Sequence, residues 1–286
     1  MENPQRVSIQ SAPARTVIAY HWQTPQPRGV IIMAPAMAVP QAFYQHFCQW
    51  LSEQHYDVIS FDYYGIGASI DKPLTQLQTT VTDWATYDAA AVIDYAVTQR
   101  PGLPLLWFAH SISGQLFGMI PNYERVDQML TVATGTGFWK DTTPQLKYKS
   151  WVLWRAITPW LIPLRGYFPG RKLGIVGDVP AAAMQQWRRW CLHPDYLVGA
   201  EALYDDYAAI RTPITSLSFT DDEMLTAQNI QAMHDFYASA PQQRHVIAPA
   251  DLNLSRIGHF AVFRKDYQPQ WQQLFGTHIE TALKAN

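Results

Sequence analysis

The chain has 286 residues, of which 48% are hydrophobic and 15% are charged, so it can form a packed core and is not a disordered or fibrous protein. The net charge is only −2 and there is no basic stripe, so binding to nucleic acid is not expected. At about 150 residues per domain, the length favours one large α/β domain with an insertion, or two small domains.

No targeting or anchoring segment is predicted. Segment 1–6 lacks the apolar core of a signal peptide. The longest apolar stretch, 151–164, is interrupted by an arginine and a proline and is shorter than the about 20 residues that a spanning helix needs. Cys48 and Cys191 form neither a metal-ligand pattern nor a disulfide framework. We therefore expect a cytoplasmic protein without an integral membrane anchor.

Strands and helices alternate in the first half of the chain. Residues 29–34 form a short apolar run, which is typical of a strand buried on both faces. The other predicted strands are 57–61, 104–109 and 129–133, and the predicted helices are 43–54, 82–98 and 113–120. This alternation predicts a doubly wound, mostly parallel sheet with helices on both faces.

The alternation stops between residues 138 and 203. This segment shows no clean strand, and prolines break it into short helical pieces. It is rich in tryptophan: Trp139, Trp151, Trp154, Trp160, Trp187 and Trp190. The alternation then resumes with strands 214–219 and 245–247 and helices 227–237 and 271–284. We predict an α/β core formed by residues 1–137 and 204–286, with a helical insertion at 138–203.

One strand-to-helix junction carries a candidate nucleophile. Segment 109–114, Ala-His-Ser-Ile-Ser-Gly, has the small-x-Ser-x-small form of a nucleophile elbow, a tight turn that exposes the hydroxyl of Ser111. Larger residues two positions away would collide with neighbouring elements. The motif alone is weak, since a serine that only caps a helix has the same appearance. Ser113 is rejected as the nucleophile because Gln115 would then occupy a small-residue position.

A serine hydroxyl is a poor nucleophile without a base, so a histidine is expected nearby in the fold. Of the nine histidines, His259 lies in a Ser/Gly loop between the last predicted strand and the last predicted helix. The others lie in poorer positions, and the side chain of His110, beside Ser111, is expected to point away from the pocket. His259 is therefore the predicted base.

An orienting carboxylate is expected at the end of another strand. The acidic run 221–223 directly follows predicted strand 214–219, although an acid in this position is often only a turn or capping residue. Asp222 is preferred over Asp221 on motif alignment, not on physical grounds. The order Ser, Asp, His, with each residue after a different strand, is that of α/β-hydrolases.

These features resemble the serine-hydrolase branch of the α/β-hydrolase fold superfamily. The resemblance is closest to a bacterial group of small predicted hydrolases. It rests on Ala-Pro-Ala-Met at 34–37, Asp-Tyr-Tyr-Gly-Ile-Gly-Ala-Ser at 62–69 and Gly-His-Phe-Ala-Val-Phe-Arg at 258–264. Tyr64 departs from the pattern, which has arginine there, and this puts a structural contact in doubt.

The resemblance implies a role for each candidate site residue. Ser111 is the nucleophile, Asp222 the acid and His259 the base. The oxyanion hole is formed by the backbone N–H groups of Met37 and Ile112, which leaves the side chains free to vary. The resemblance implies no metal and no organic cofactor.

In this fold an insertion at 138–203 commonly forms a lid. Trp139, Trp154 and Trp187 are the candidates for lining an apolar acyl pocket, although they would equally serve to attach short helices to the core. An association of the apolar stretch 151–164 with a membrane surface is disfavoured, because only three cations lie near it.

We therefore expect a serine hydrolase that cleaves a small-molecule carboxylic ester or thioester with a small, apolar acyl group through an acyl-enzyme. One alternative is a non-catalytic protein of the same fold that binds a small ligand. Another is different chemistry on the same triad, such as C–C bond hydrolysis or acyl transfer. The sequence does not predict the oligomeric state.

Overall fold

The computed structural model describes residues 4–175 and 177–284. The strands in these ranges are β1 (Gln5–Ala12), β2 (Arg15–Trp22), β3 (Val30–Ala34), β4 (Asp57–Asp62), β5 (Leu105–His110), β6 (Gln128–Val132), β7 (Tyr167–Phe168), β8 (Val179–Pro180), β9 (Ile214–Phe219) and β10 (Gln242–Ile247).

The α-helices in the same ranges are α1 (Gln45–Glu53), α2 (Val81–Asp83), α3 (Ala90–Gln99), α4 (Ile112–Gln115), α5 (Pro144–Val152), α6 (Thr158–Arg165), α7 (Gly170–Leu173), α8 (Ala181–Leu192), α9 (Tyr196–Ala200), α10 (Tyr204–Ala209), α11 (Ala227–Phe236), α12 (Gln268–Trp271) and α13 (Thr277–Lys284). π-Helical turns join three pairs of these helices: Trp84–Ala89, Leu153–Ile157 and Gln272–Gly276. No helix among the described residues is long and apolar enough to cross a bilayer.

Eight of the described strands form one sheet in the order β1-β2-β4-β3-β5-β6-β9-β10. The six strands from β4 to β10 in that order run parallel, whereas β2 pairs antiparallel with both β1 and β4. The predicted fold class, a mostly parallel α/β sheet, is confirmed. The chain leaves β3, β5, β6 and β9 at the same edge of the sheet, so the loops that follow these strands lie together there.

The central strands form because their sequences are apolar on both sides. Every residue of β3 and β5 is buried, as expected of parallel strands covered by helices on both faces. Ala34 at the end of β3 pairs with Ala109 near the end of β5. This register brings the loop after β3 next to the turn after β5.

The structure contains a hairpin of β1 and β2 that the sequence analysis did not predict. In β1 the burial alternates weakly, and most residues are exposed or half-buried. Such an edge strand is too polar to be recognised from an apolar run. Strand β10, at the other edge, likewise begins three residues earlier than predicted, at Gln242.

Tyr64, where the pattern of the resemblance has arginine, contacts Arg15 of β2 and Asp88. Arg15 of β2 pairs with Asp88 through Nε–Oδ1 and Nη2–Oδ2 distances of 2.7 and 2.8 Å, and both side chains are buried. The Arg15 guanidinium lies 4.6 Å from the centre of the Tyr64 ring, and the Tyr64 N–H donates to Asp88 at 2.9 Å. The Arg15 guanidinium and the Asp88 carboxylate therefore hold the turn that contains Tyr64.

The chain between β6 and β9 contains helices α5 to α10 and the antiparallel pair β7–β8. The pair corrects the expectation that this segment has no strand. Its tryptophans differ sharply in burial: Trp154 is 4% exposed, whereas Trp151 is 46% exposed and Trp160 is 79% exposed. Some tryptophans of this segment therefore pack in the interior, whereas others lie on the surface.

Candidate active site

The turn between β5 and α4 is strained in the way a nucleophile elbow requires. Ser111 has φ +54° and ψ −113°, a conformation that costs a non-glycine residue on the order of 1–3 kcal/mol. The neighbouring backbone is tightly packed, because a Cβ atom at Gly114 would lie only 2.6 Å from the hydroxyl of Thr134. The Ser111 N–H donates to the carbonyl of Val132 at 2.9 Å, which ties the turn to β6.

Ser111, His259 and Asp222 lie together in a chain of hydrogen bonds. His259 Nε2 is 3.1 Å from Ser111 Oγ, and His259 Nδ1 is 2.8 Å from Asp222 Oδ2. An ionised carboxylate only accepts, so Nδ1 carries the proton and Nε2 accepts from the serine hydroxyl. His259 and Asp222 are 1% and 6% exposed, so both contacts are shielded from water. The three residues therefore have the arrangement in which a serine transfers its proton to histidine.

The second oxygen of Asp222 is also occupied. Oδ1 accepts from the backbone N–H groups of Met224 and Leu225, at 2.7 and 2.9 Å. These bonds fix the plane of the carboxylate, so that Oδ2 faces the His259 ring. Asp222 is therefore the acid that contacts the imidazole.

The two neighbouring acids hold the backbone of the histidine loop. Asp221 Oδ2 accepts from the N–H groups of Ile257 and Gly258, at 2.8 and 3.2 Å. Glu223 Oε2 accepts from the His259 N–H at 3.0 Å. All three consecutive acids therefore bond to the histidine loop. Asp222 contacts the His259 ring, whereas Asp221 and Glu223 accept from backbone N–H groups. The sequence pattern did not reveal the roles of Asp221 and Glu223.

The candidate oxyanion donors lie at the same sheet edge. Met37 sits in the turn after β3 and Ile112 is the first residue of α4, directly after Ser111. Among the described residues, neither the Met37 N–H nor the Ile112 N–H has a hydrogen-bond acceptor. Both residues are buried. Two unpaired N–H groups in a shielded region can stabilise an oxyanion that forms between them.

A buried network, which sequence patterns did not predict, connects the Met37 turn to the histidine loop. Tyr44 in the 3₁₀ turn before α1 accepts from the Ala36 N–H at 2.9 Å, and its hydroxyl is 2.7 Å from His110 Nδ1. His110 Nε2 is 2.9 Å from the His259 carbonyl oxygen. Because a carbonyl only accepts, Nε2 carries the His110 proton and Nδ1 accepts from Tyr44.

His110 is neutral in this network. Burial, together with the nearby His259, lowers the pKa of His110 well below its ordinary value. Its side chain is fully buried, so it does not line the pocket. A neutral imidazole accepts from the Tyr44 hydroxyl and donates to the His259 carbonyl, whereas a protonated ring would leave the Tyr44 hydroxyl proton without this acceptor.

Ser113 fastens the loop after β3 from the other side. Its hydroxyl donates to the Pro35 carbonyl at 2.5 Å and accepts from Tyr63 at 2.8 Å. The side chain is fully buried. The small residue that the elbow requires at this position therefore also makes a specific contact, and its hydroxyl is engaged away from the nucleophile.

The three lid candidates lie on the inner side of the insertion. Trp154 belongs to the same buried cluster as Met37 and Ile112, and Trp139 and Trp187 pack against that cluster. The rings of Trp154 and Trp187 meet edge to face, 5.0 Å apart. Within the described residues, no group of three or more His, Cys, Asp or Glu side chains is arranged to hold a metal ion.

Comparison with known proteins gives a family and a set of structures. A family model described as serine aminopeptidase, S33, matches residues 25–250. No curated protein was found to be similar in sequence. The chain resembles the structure of a thermostable carboxyl esterase from Bacillus coagulans at 13% identity and a TM-score of 0.64, covering 99% of this chain and 100% of the esterase.

Two further structures are similar at the same level. A soluble variant of monoglyceride lipase from Saccharomyces cerevisiae has 13% identity and a TM-score of 0.65, with 96% of this chain and 95% of the lipase covered. A thioesterase domain from the curacin biosynthetic pathway has 13% identity and a TM-score of 0.58, with 96% and 100% covered. At such identities the likeness shows the fold alone.

Proposed function

Because the chain belongs to the α/β-hydrolase family described as serine aminopeptidase, S33, we propose that it is a serine hydrolase of a carboxylic ester or thioester. The observation that carries this proposal is the strained Ser111 at hydrogen-bond distance from a buried His259, which in turn contacts Asp222. The esterase, lipase and thioesterase among the similar structures support ester-type substrates.

In the proposed reaction, Ser111 Oγ attacks the substrate carbonyl carbon while His259 Nε2 takes the hydroxyl proton. Asp222 keeps the proton on Nδ1 and stabilises the imidazolium. The Met37 and Ile112 N–H groups bind the tetrahedral oxyanion. His259 then gives its proton to the leaving alcohol or thiol. A water molecule, deprotonated by the same nitrogen, cleaves the acyl-enzyme and releases the acid.

We further propose that residues 138–203 act as a lid on a core formed by 1–137 and 204–286. Trp139, Trp154 and Trp187 would line the acyl pocket, since they pack in or against the large buried cluster that also contains Met37 and Ile112. An aromatic lining favours a neutral, apolar acyl group. We also propose a cytoplasmic location in a bacterial cell, where the buried free thiols of Cys48 and Cys191 would stay reduced.

A binding protein of the same fold is the less favoured alternative. Ligand binding requires neither a strained serine nor two unpaired N–H groups at the same sheet edge, and both cost stability. Acyl transfer and C–C bond hydrolysis would use the same three residues. These chemistries therefore differ from ester hydrolysis in substrate, not in the machinery described here.

The proposal is tested by labelling with a fluorophosphonate probe. We expect the wild-type protein and Ser113→Ala to be labelled, because the Ser113 hydroxyl is occupied by Pro35 and Tyr63. Ser111→Ala should remain unlabelled. Labelling of Ser111→Ala at the wild-type level would overturn the nucleophile, and a folded but unreactive wild-type protein would support the binding alternative.

The substrate class is tested with p-nitrophenyl esters of increasing acyl length, a thioester and an aminoacyl p-nitroanilide. We expect hydrolysis of esters or thioesters with neutral apolar acyl groups. A preference for charged acyl groups would contradict the proposed pocket. Faster cleavage of the anilide would assign the chain a peptidase-type activity instead.

A further inference from the structure

The outer side of the insertion is unusually apolar for a protein surface. Ten large apolar side chains are exposed among the described residues, and six of them lie between positions 148 and 175. These six are Tyr148, Trp151, Trp160, Leu164, Leu173 and Ile175. Trp160 and Leu164 are the most exposed of the tryptophans and leucines, at 79% and 76%. A monomer gains nothing by leaving such side chains in water.

The exposed side chains follow the helical geometry of α5 and α6. The π-turn Leu153–Ile157 joins the two helices into one run from 144 to 165. The inward residues repeat every four positions and are buried: Ser150, Trp154, Thr158 and Ile162. Tyr148, Trp151, Trp160 and Leu164 lie at other positions of the same run and face solvent. The helices therefore have one side in the core and one apolar side outside.

The same segment is strongly basic. Residues 144–177 contain six of the 21 basic residues of the chain and none of its 23 acidic ones. The six are Lys147, Lys149, Arg155, Arg165, Arg171 and Lys172, and all are exposed. Within the described ranges, none of them forms a salt bridge. A concentrated positive charge thus stands on a chain whose net charge is −2.

We propose that this basic apolar face, the exposed side of residues 144–175, docks on an anionic lipid surface. Tryptophan, tyrosine and leucine enter the boundary between headgroups and acyl chains, and lysine and arginine bind the phosphates. The sequence pattern had counted only three cations near 151–164. Three more follow in the same segment. In the described ranges their side chains form no salt bridge, although the Arg171 backbone N–H donates to Asp178 at 3.1 Å, and the apolar residues point outward.

A second copy of the chain is a poorer occupant of this face. In a twofold dimer the same patch is present on both subunits. Six cations would then lie against six cations, with Asp178 beside Arg171 as the carboxylate that contacts the segment, and like charges in contact oppose association. An anionic bilayer supplies the opposite charge together with an apolar interior.

Docking would bring the lipid surface to the edge of the sheet that holds Ser111. Gly177, at the end of the basic segment, lies so close to the Ala38 carbonyl that a side-chain carbon there would collide with it. Gly166 is packed in the same way against Thr75. The segment therefore rests on loops at this edge. The proposal concerns binding alone and does not depend on the proposed hydrolase function.

The test is co-sedimentation of the full chain with phosphatidylcholine vesicles, with and without phosphatidylglycerol. We expect partitioning into the anionic vesicles to be at least about tenfold stronger, because each cation near such a surface contributes roughly fivefold. Added salt should weaken it. Lys147→Glu/Lys149→Glu should remove most of the preference for phosphatidylglycerol.

Trp160→Ser/Leu164→Ser should weaken binding to the anionic vesicles by about tenfold or more, since it removes the most exposed apolar groups. Val246→Ser is the matched control, because Val246 is 70% exposed but lies on β10. Circular dichroism checks that each variant is folded. Equal binding of all variants, or no binding of the wild type, would overturn the proposal. So would a dimer that is lost in Trp160→Ser/Leu164→Ser without any vesicle binding.

Discussion

The loops of the core around Ser111 and the helices of the insertion lie at the same edge of the sheet, but they differ in the contacts that hold them. The core loops are joined by buried, directional hydrogen bonds between residues as far apart as 66 and 149 positions. The insertion packs large aromatic side chains such as Trp154 and Trp187 against each other, and a few hydrogen bonds, such as that from Tyr196 to Gln115, tie it to the core. Hydrogen bonds fix individual atoms, whereas apolar contacts fix only a surface.

The two regions would meet two different requirements of a hydrolase, which are proton transfer and selection of the acyl group. Proton transfer between Ser111 and His259 requires heavy atoms about 3 Å apart, and small displacements are costly. Selection of an apolar acyl group requires only a pocket of suitable shape. We infer that the chemistry depends on the core bonds and that the insertion can vary without disturbing it.

The largest expected effect comes from replacing one of two adjacent carboxylates. Asp222→Asn should lower kcat by about 10⁴-fold, because the amide no longer holds the proton on His259 Nδ1 in the productive tautomer. Asp221→Asn should lower it by only about tenfold, because Asp221 contacts backbone N–H groups and not the ring. Steady-state hydrolysis of a p-nitrophenyl ester measures both.

Far-UV circular dichroism would establish that both asparagine variants are folded. If Asp221→Asn were the more damaging of the two in folded protein, the ring contact seen for Asp222 would not be the functional one. Equal losses would mean that positioning of the histidine loop, and not orientation of the ring, limits the reaction.

The next effect concerns the stability of the insertion. Trp154→Ala should lower the free energy of unfolding by about 3–5 kcal/mol, as expected for a large buried aromatic residue. Trp160→Ala should change it by less than about 0.5 kcal/mol, because Trp160 is 79% exposed. Urea denaturation of the two variants measures the difference. Similar values for both would show that the inner and outer sides of the insertion are not distinct.

The core could be read from the sequence because its signals are local. Apolar runs predicted β3 to β6 and β9 within one or two residues, since strands buried on both faces have no polar side. The elbow around Ser111 and the loop of His259 were found from short motifs at strand ends. The structure brings these two residues and Asp222 together, and their catalytic roles stay predictions.

The remaining features could not be read because they depend on long-range contacts. Tyr44 looks like any helix-flanking tyrosine until the fold places it beside His110, 66 positions away. Glu223 and Asp221 were visible only as turn acids. The outward direction of Trp160 and the inward direction of Trp154 could not be assigned, because prolines divided this segment into short helical pieces and the π-turn that joins α5 and α6 was not predicted.

A third effect is acid sensitivity, which should come from buried histidines of the core. Burial lowers the pKa of His234 from 6.5 to about 4, and its Nδ1 donates to the Ile230 carbonyl at 2.8 Å. Below pH 6.5 the unfolded chain therefore binds a proton at His234, whereas the folded chain binds it only below about pH 4. Stability is fully present above pH 6.5, falls as the pH is lowered, and levels off below 4.

From His234 alone, the free energy of unfolding should be roughly 2 kcal/mol lower at pH 5 than at pH 7. Urea denaturation at several pH values measures this slope, to which neutral His110 contributes in the same direction. His234→Gln keeps a hydrogen-bonding side chain without titrating and should make the slope shallower. An unchanged slope in that variant would show that His234 is not a source of the acid sensitivity.

The smallest effect tests whether hydrogen bonds at a distance from the reacting atoms matter. Tyr44→Phe leaves the Ala36 N–H and His110 Nδ1 without their partner, which should cost about 1–2 kcal/mol of stability. Because Ala36 directly precedes Met37, the oxyanion donor should become less well placed, and kcat should fall by about tenfold with KM nearly unchanged. Tyr56→Phe is the control, since the Tyr56 hydroxyl bonds to no described residue although the side chain is 3% exposed. Equal kcat values in the two variants would mean that the Tyr44 hydrogen bonds do not position the Met37 turn for the reaction. The core would then tolerate the loss of these bonds as the insertion is expected to tolerate variation.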